Sequence, residues 1–145
     1  MPKIFALLTA PVILVAGPQV TPPKIVSEVD AKALAEKTMA KFVAEQYKEG
    51  FDFLVPYWNA PKNELDTLVM QTIQQRSTVK PRYGASIGYE FIGMKSVGHS
   101  LLKLTYVEKL ENTALRYTFI FYRPKNTWEF QGMVWDDKLS LLFGE

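Results

Sequence analysis

Two periodicities divide the chain. Between Ser27 and Gly50 the apolar residues Ala31, Leu34, Ala35, Met39, Phe42, Val43 and Tyr47 recur at helical spacing, with Lys32, Glu36, Lys37, Lys41 and Glu45 facing away. That pattern predicts one long amphipathic helix. Ser27 with Asp30 three residues on reads as a capping box that starts it, and Gly50 as its stop. The next stretch, FDFLVPYWNAP, is apolar but broken by Pro56 and Pro61, so a short helix or turn is expected there rather than a strand. Asn63 and Asp66 form a second capping box, and Leu65, Leu68, Val69 and Ile73 make the face of a helix running to about Arg76. Pro81 and Gly84 end that region.

From Gly88 the apolar period becomes two. Gly98-His99, Glu111-Asn112 and Lys125-Asn126 sit where two-residue turns would join four strands. With Glu111-Asn112 as a loop, Tyr106 faces Tyr117, Leu104 faces Phe119 and Leu102 faces Phe121. With Lys125-Asn126 as the next, Phe121 faces Phe130, Phe119 faces Gly132 and Tyr117 faces Val134. Both placements put the same apolar set on one side, which a slip of one residue would destroy. The other side then carries Lys103, Thr105, Val107, Arg116, Thr118, Ile120, Tyr122, Glu129, Gln131, Met133 and Trp135, with Arg116 in cation–π range of Trp135. Arg116, Ile120, Tyr122, Met133 and Trp135 would make a patch suited to self-association, so a homodimer through the convex sheet face is expected.

The totals narrow the class. A chain of 145 residues is one domain's worth and hides roughly two thirds of its surface on folding. Its 48% hydrophobic and 22% charged residues are ordinary globular values. The formal charge is +2, and no basic run forms a phosphate-binding stripe, which argues against nucleic acid as a partner. The opening MPKIFALLTAPVILVAG has one lysine and then an apolar run with Pro11 inside it. That run is shorter than the ~20 residues a stable span needs, but it suits a secretory leader at 1–17, cleaved after Ala16. A Pro-rich spacer at 18–26 and a single domain at 27–145 follow. The expected address is the periplasm or the medium of a bacterial cell; an uncleaved leader would leave the protein cytoplasmic. The absence of cysteine excludes disulfides and a lipidated-cysteine anchor.

The order of a long helix, a shorter helix and an antiparallel meander resembles the nuclear transport factor 2-like superfamily, the cystatin-like α+β roll. The most family-like pieces are YKEGFDFLVPYW and LKLTYVEKLENTALRYTFIFYRPKNTWEFQGMVWDD, which look like uncharacterised exported bacterial members. The resemblance implies an α+β fold in which a long N-terminal helix and one or two shorter ones pack on a strongly curved antiparallel meander of four to six strands. The cone between them often holds a small apolar ligand, and many members dimerise through the convex face. Fold alone does not assign function.

Candidate chemistry is sparse. GASIG, Gly84 to Gly88, fits G-x-S-x-G, but a nucleophile elbow at Ser86 needs a strand before it and a helix after, the reverse of the order read here. The lone His99 falls in a turn and has no second histidine or cysteine with which to share a metal, so no metal or cofactor is expected. One acid–base arrangement is open: alternation puts Glu108 and Asp136 on the inner side about 10 Å apart, separated by the strand bearing Leu115, with the Tyr106 and Tyr117 hydroxyls nearby, as in a cofactor-free isomerase or dehydratase. The reading that needs fewer assumptions is a non-catalytic domain binding a small apolar ligand or a protein partner. Its ligand would be lined by Tyr47, Trp58, Tyr83, Phe91, Tyr106, Tyr117, Phe119 and Trp128.

Overall fold

A computed structural model describes residues 21–144, so the leader and the start of the spacer lie outside the described residues. The fold is α+β, with the helices α1 (Glu28–Val43), α2 (Tyr47–Leu54), α3 (Lys62–Arg76) and the short α4 (Val79–Tyr83) preceding the sheet. The sheet is an antiparallel meander in the order β1-β2-β3-β4, with β1 at Ser86–Val97, β2 at Leu101–Leu110, β3 at Ala114–Tyr122 and β4 at Glu129–Asp136. It curves around α1 as a roll and does not close into a barrel. A 3-10 turn at Leu139–Phe143 ends the described chain.

The Ser27 cap forms as expected, its hydroxyl oxygen accepting from the Asp30 amide at 3.1 Å. Ala31, Leu34, Ala35, Met39 and Phe42 line the buried face of α1, and Thr38 joins them by donating its hydroxyl to the Leu34 carbonyl at 3.0 Å. The long helix is, however, two helices. The chain breaks after α1 at Glu45, whose φ is +60°, and restarts at Tyr47. Gly50 is therefore no stop; it lies inside α2, because a Cβ there would stand 2.6 Å from Cε1 of Phe42. The break turns α2 back so that Phe51 and Leu54 enter the same core. The second expected capping box does not form either: Pro61 stands at the N-cap of α3, without a side-chain cap, and Asn63 and Asp66 fall within the helix.

In the sheet, β2 pairs with β3 in the expected register, Tyr106 with Tyr117, Leu104 with Phe119 and Leu102 with Phe121. The first hairpin turns on three residues, since Val97 pairs with Leu101, and Gly98 takes the left-handed φ of +58°. The third connection is longer than two residues, yet Phe121 faces Phe130 as expected. Beyond that pair the register shifts: Ile120 faces Gly132, Phe119 faces Met133, Tyr117 faces Trp135 and Arg116 faces Asp136. Gln131 is the extra residue of a β-bulge, and a bulge of one residue exchanges the faces of everything after it. Met133 and Trp135 consequently turn inward against the core, while Val134 is 57% exposed. The expected patch of Arg116, Ile120, Tyr122, Met133 and Trp135 thus loses its last two members. Asp136 moves in the opposite sense, to the outer side, where Nη2 of Arg116 reaches its Oδ2 at 2.6 Å and Nε reaches Oδ1 at 3.0 Å.

Candidate functional site

Aromatic side chains pack against one another in the interior of the roll. Phe42 is the hub, its ring centroid 5.2 Å from Phe51, 5.8 Å from Tyr117 and 5.9 Å from Tyr47. Tyr106 packs edge-on to Phe119 at 5.7 Å, and Phe121 edge-on to Phe130 at 5.3 Å. These rings are all but fully buried apart from Tyr47, as close packing of an interior requires. Tyr106, Tyr117 and Phe119, expected to line a ligand cavity, are part of this core.

One polar cluster is embedded in it. Glu108 on β2 has no exposed surface, and both its carboxylate oxygens are engaged. Oε1 accepts from Nη2 of Arg76, in the last turn of α3, at 2.8 Å; Oε2 accepts from the Tyr117 hydroxyl on β3 at 2.9 Å. The same Nη2 donates to the Tyr47 hydroxyl at 3.1 Å. The Arg76 guanidinium lies between two rings, 5.1 Å from the centroid of Tyr47 and 5.4 Å from that of Trp135. Five elements, α2, α3, β2, β3 and β4, converge on this one group. The bulge at Gln131 is what brings Trp135 over it.

The electrostatics follow from this geometry. Burial, reinforced by the adjacent Glu108 carboxylate, holds the Tyr117 hydroxyl well above its ordinary range. Burial likewise raises Tyr47, against the opposing pull of Arg76. Arg76 is subject to desolvation that works against its charge, but the oxygens of Tyr117 and Glu108 outweigh it and hold the guanidinium protonated. The cluster is therefore a charged pair, Arg76 with Glu108, braced by two neutral tyrosines. A substrate proton cannot come within transfer distance of Glu108 unless the core opens, because both oxygens are occupied and none of the side chain meets solvent.

Beside the cluster, on the helical side, lies an open cleft of about 640 Å³ lined by Glu45, Tyr47, Ile73, Arg76, Ser77, Lys80 and Pro81. Its walls are mainly apolar, Arg76 borders it, and Lys80 stands at the rim, 3.2 Å from Glu45. Two nitrogens of the buried guanidinium, Nε and Nη1, have no hydrogen-bond partner among the described residues.

The expected ligand residues are thus distributed rather than gathered. Tyr47 borders the Arg76 cleft, whereas Trp58 and Trp128 border a separate groove of about 440 Å³ with Pro22, Pro56 and Tyr57. Phe91 sits on the edge strand, 39% exposed, its ring 5.3 Å from Tyr106 and under the Lys32 ammonium. Tyr83 ends α4, under the guanidinium of Arg82. Of the acid–base candidates, Glu108 and Tyr117 meet, and Asp136 is on the far side of the sheet, held below the ordinary carboxylate range by its hydrogen bonds from Arg116. At GASIG a helix precedes and a strand follows, so Ser86 begins β1. Arg76 was readable only as the end of a helix; the signal that marks it is spacing, since Leu65, Leu68, Val69, Thr72 and Arg76 form one helical stripe. Among the described residues no helix is long and apolar enough to cross a membrane. Comparison with protein-family models, with curated proteins and with solved structures finds no match to this chain.

Proposed function

We propose that this chain is a non-catalytic binding domain, related to the nuclear transport factor 2-like rolls, that holds a small and mainly apolar ligand in the cleft beside Arg76 rather than inside the cone. The observation that carries the reading is the cleft itself: about 640 Å³, walled by Tyr47, Ile73 and Pro81, with a buried cation at its edge. That volume and a few polar groups amid apolar walls are the usual make-up of a small-molecule site. The packed core supports the shift of site, because Tyr106, Tyr117 and Phe119 are buried and held against neighbouring rings. The acid–base alternative has less behind it, with Glu108 enclosed and Asp136 on the outer side. In this reading the protein is exported, its leader at 1–17 being removed.

Native mass spectrometry of protein purified from its own host tests the reading. The wild type is expected to retain a small organic molecule, and Ile73→Asp, which places a charge on a cleft wall already 38% exposed, to release it while leaving the melting temperature nearly unchanged. A guest retained equally by both proteins would place it elsewhere.

A second reading, self-association through the outer sheet face, is favoured by a shallow apolar groove of about 250 Å³ formed by Val97, Leu101, Leu102 and Ile120 with the stems of Lys95 and Lys103. Light scattering at micromolar concentration should give twice the single-chain mass for the wild type and the single-chain mass for Leu101→Asp/Ile120→Asp. A wild type that is monomeric throughout removes this reading and leaves the cleft untouched.

A further inference from the structure

We infer that β1 is an interface strand, whose outer edge pairs antiparallel with β1 of a second copy of this chain and joins the two sheets into one. This interface is independent of the Arg76 cleft and of the outer-face groove, since it uses the edge of the sheet and not its face. The two edges are unequal. On the β4 side, the Ile25 carbonyl accepts from the Trp128 amide at 2.8 Å, and Trp58 bridges Phe130. At the other edge β1 pairs with β2 alone, so its outward amides and carbonyls have no backbone partner among the described residues. Edge strands are usually short or screened, yet this one runs for 12 residues with Ile87, Phe91, Ile92, Met94 and Val97 all exposed. Helix α1 reaches it through side chains, Lys32 over the Phe91 ring and Glu28 to Ser96.

The charges of the strand select a second copy as its partner and set the register. Lys95 lies directly across from Lys103 of β2, and neither Lys95 nor Glu90 makes an ion pair among the described residues. Like charges opposite one another on a sheet are unfavourable, so Lys95 lacks an acid on its free side. The bulge at Ile92 supplies the match. Glu90 pairs with Val107 and Lys95 with Lys103, two positions on one face of β2, so both charges share the outer face although an odd number of steps separates them. Phe91 and Met94, opposite Tyr106 and Leu104, likewise share the inner face. A twofold axis between Ile92 and Gly93 then sets Glu90 of each copy against Lys95 of the other, and Phe91 against Met94. A shift of one residue would put Glu90 opposite Met94 or Ser96, which lie on the other face. A bulge normally turns an edge away from partners. This one falls on the axis, where both copies bend alike, and 88–91 and 94–97 on either side keep an unbroken ladder with β2. The second irregularity, at Ile87, lies outside the paired stretch.

A charge exchange followed by sedimentation velocity, from micromolar to millimolar protein, tests this. The wild type is expected to dimerise. Glu90→Lys and Lys95→Glu each set like charges opposite one another twice in a homodimer, and each should weaken dimerisation by at least about tenfold. Both positions are exposed, so the melting temperature of either variant should stay close to that of the wild type. An equimolar mixture of the two variants should dimerise again, because every opposed pair is once more a cation and an anion. The double variant Glu90→Lys/Lys95→Glu should dimerise by itself for the same reason, and added salt should narrow all these differences. Single variants as dimeric as the wild type, or a mixture and a double variant that stay monomeric, overturn the β1 interface. A Leu101→Asp/Ile120→Asp variant that turns monomeric while both charge variants stay dimeric moves association to the sheet face and overturns it too. So does a wild type that is monomeric throughout, and none of these results touches the cleft.

Discussion

Replacing Glu108 with leucine while Arg76 stays in place is expected to lower the free energy of unfolding by about 3–5 kcal/mol, the effect of stranding one member of a buried pair. The mechanism is desolvation: the guanidinium stays enclosed, with Nη2 keeping its contact to Tyr47, and the Tyr117 hydroxyl loses its Glu108 acceptor. Removing both charges reverses most of the damage. Arg76→Met with Glu108→Leu should unfold within about 1–2 kcal/mol of the wild type, because the two apolar side chains occupy similar volume and need no desolvation. Urea denaturation of the single and double variants measures this directly, and the cycle gives the coupling energy between the two positions. A single variant as stable as the wild type would mean that water reaches Arg76, and the cluster could not then be treated as buried.

A second large effect is expected at Gly50. Its missing side chain is a packing requirement of the break between α1 and α2, because a Cβ would stand 2.6 Å from Cε1 and 2.8 Å from Cδ1 of Phe42. The Phe42 ring cannot swing aside, for Phe51, Tyr47 and Tyr117 hold it on three sides. Gly50→Ala therefore sets a gain of up to ~1 kcal/mol in helix propensity against an overpacking cost of about 1–3 kcal/mol. Gly50→Val, with two more methyl groups directed at the same ring and a poorer helix former, should destabilise by about 3 kcal/mol or more. Phe42→Leu opens space at the contact point, so the Gly50→Ala penalty should shrink in the Phe42→Leu background even though Phe42→Leu is itself destabilising. Thermal unfolding of these variants checks the claim; a stabilised Gly50→Val would show that α2 can slide away from α1.

These two sites mark where the reading of residues ends and folding takes over. Alternation and helical spacing, taken alone, established the α+β class, the buried face of α1 from Ala31 to Phe42, the Ser27 cap and the β2–β3 register, since each depends on neighbours in the chain or on one turn of known length. Glu108 and Tyr117 were legible as inward residues for the same reason. The break at Glu45 was not, because the apolar spacing continues through it and Gly50 resembles a helix stop; only the ring of Phe42, eight residues earlier, explains why a glycine must sit there. Nor could parity foresee the bulge at Gln131, which turns Trp135 inward and Asp136 outward and so dismantles one expected patch while completing the Arg76 cluster. Local pattern decides which face of a segment is dry, whereas partners far apart in the chain decide how segments are cut and shifted to bring charge to charge. Arg76 and Glu108, thirty-two residues apart and each ordinary in its own context, become the centre of the molecule only through that second step.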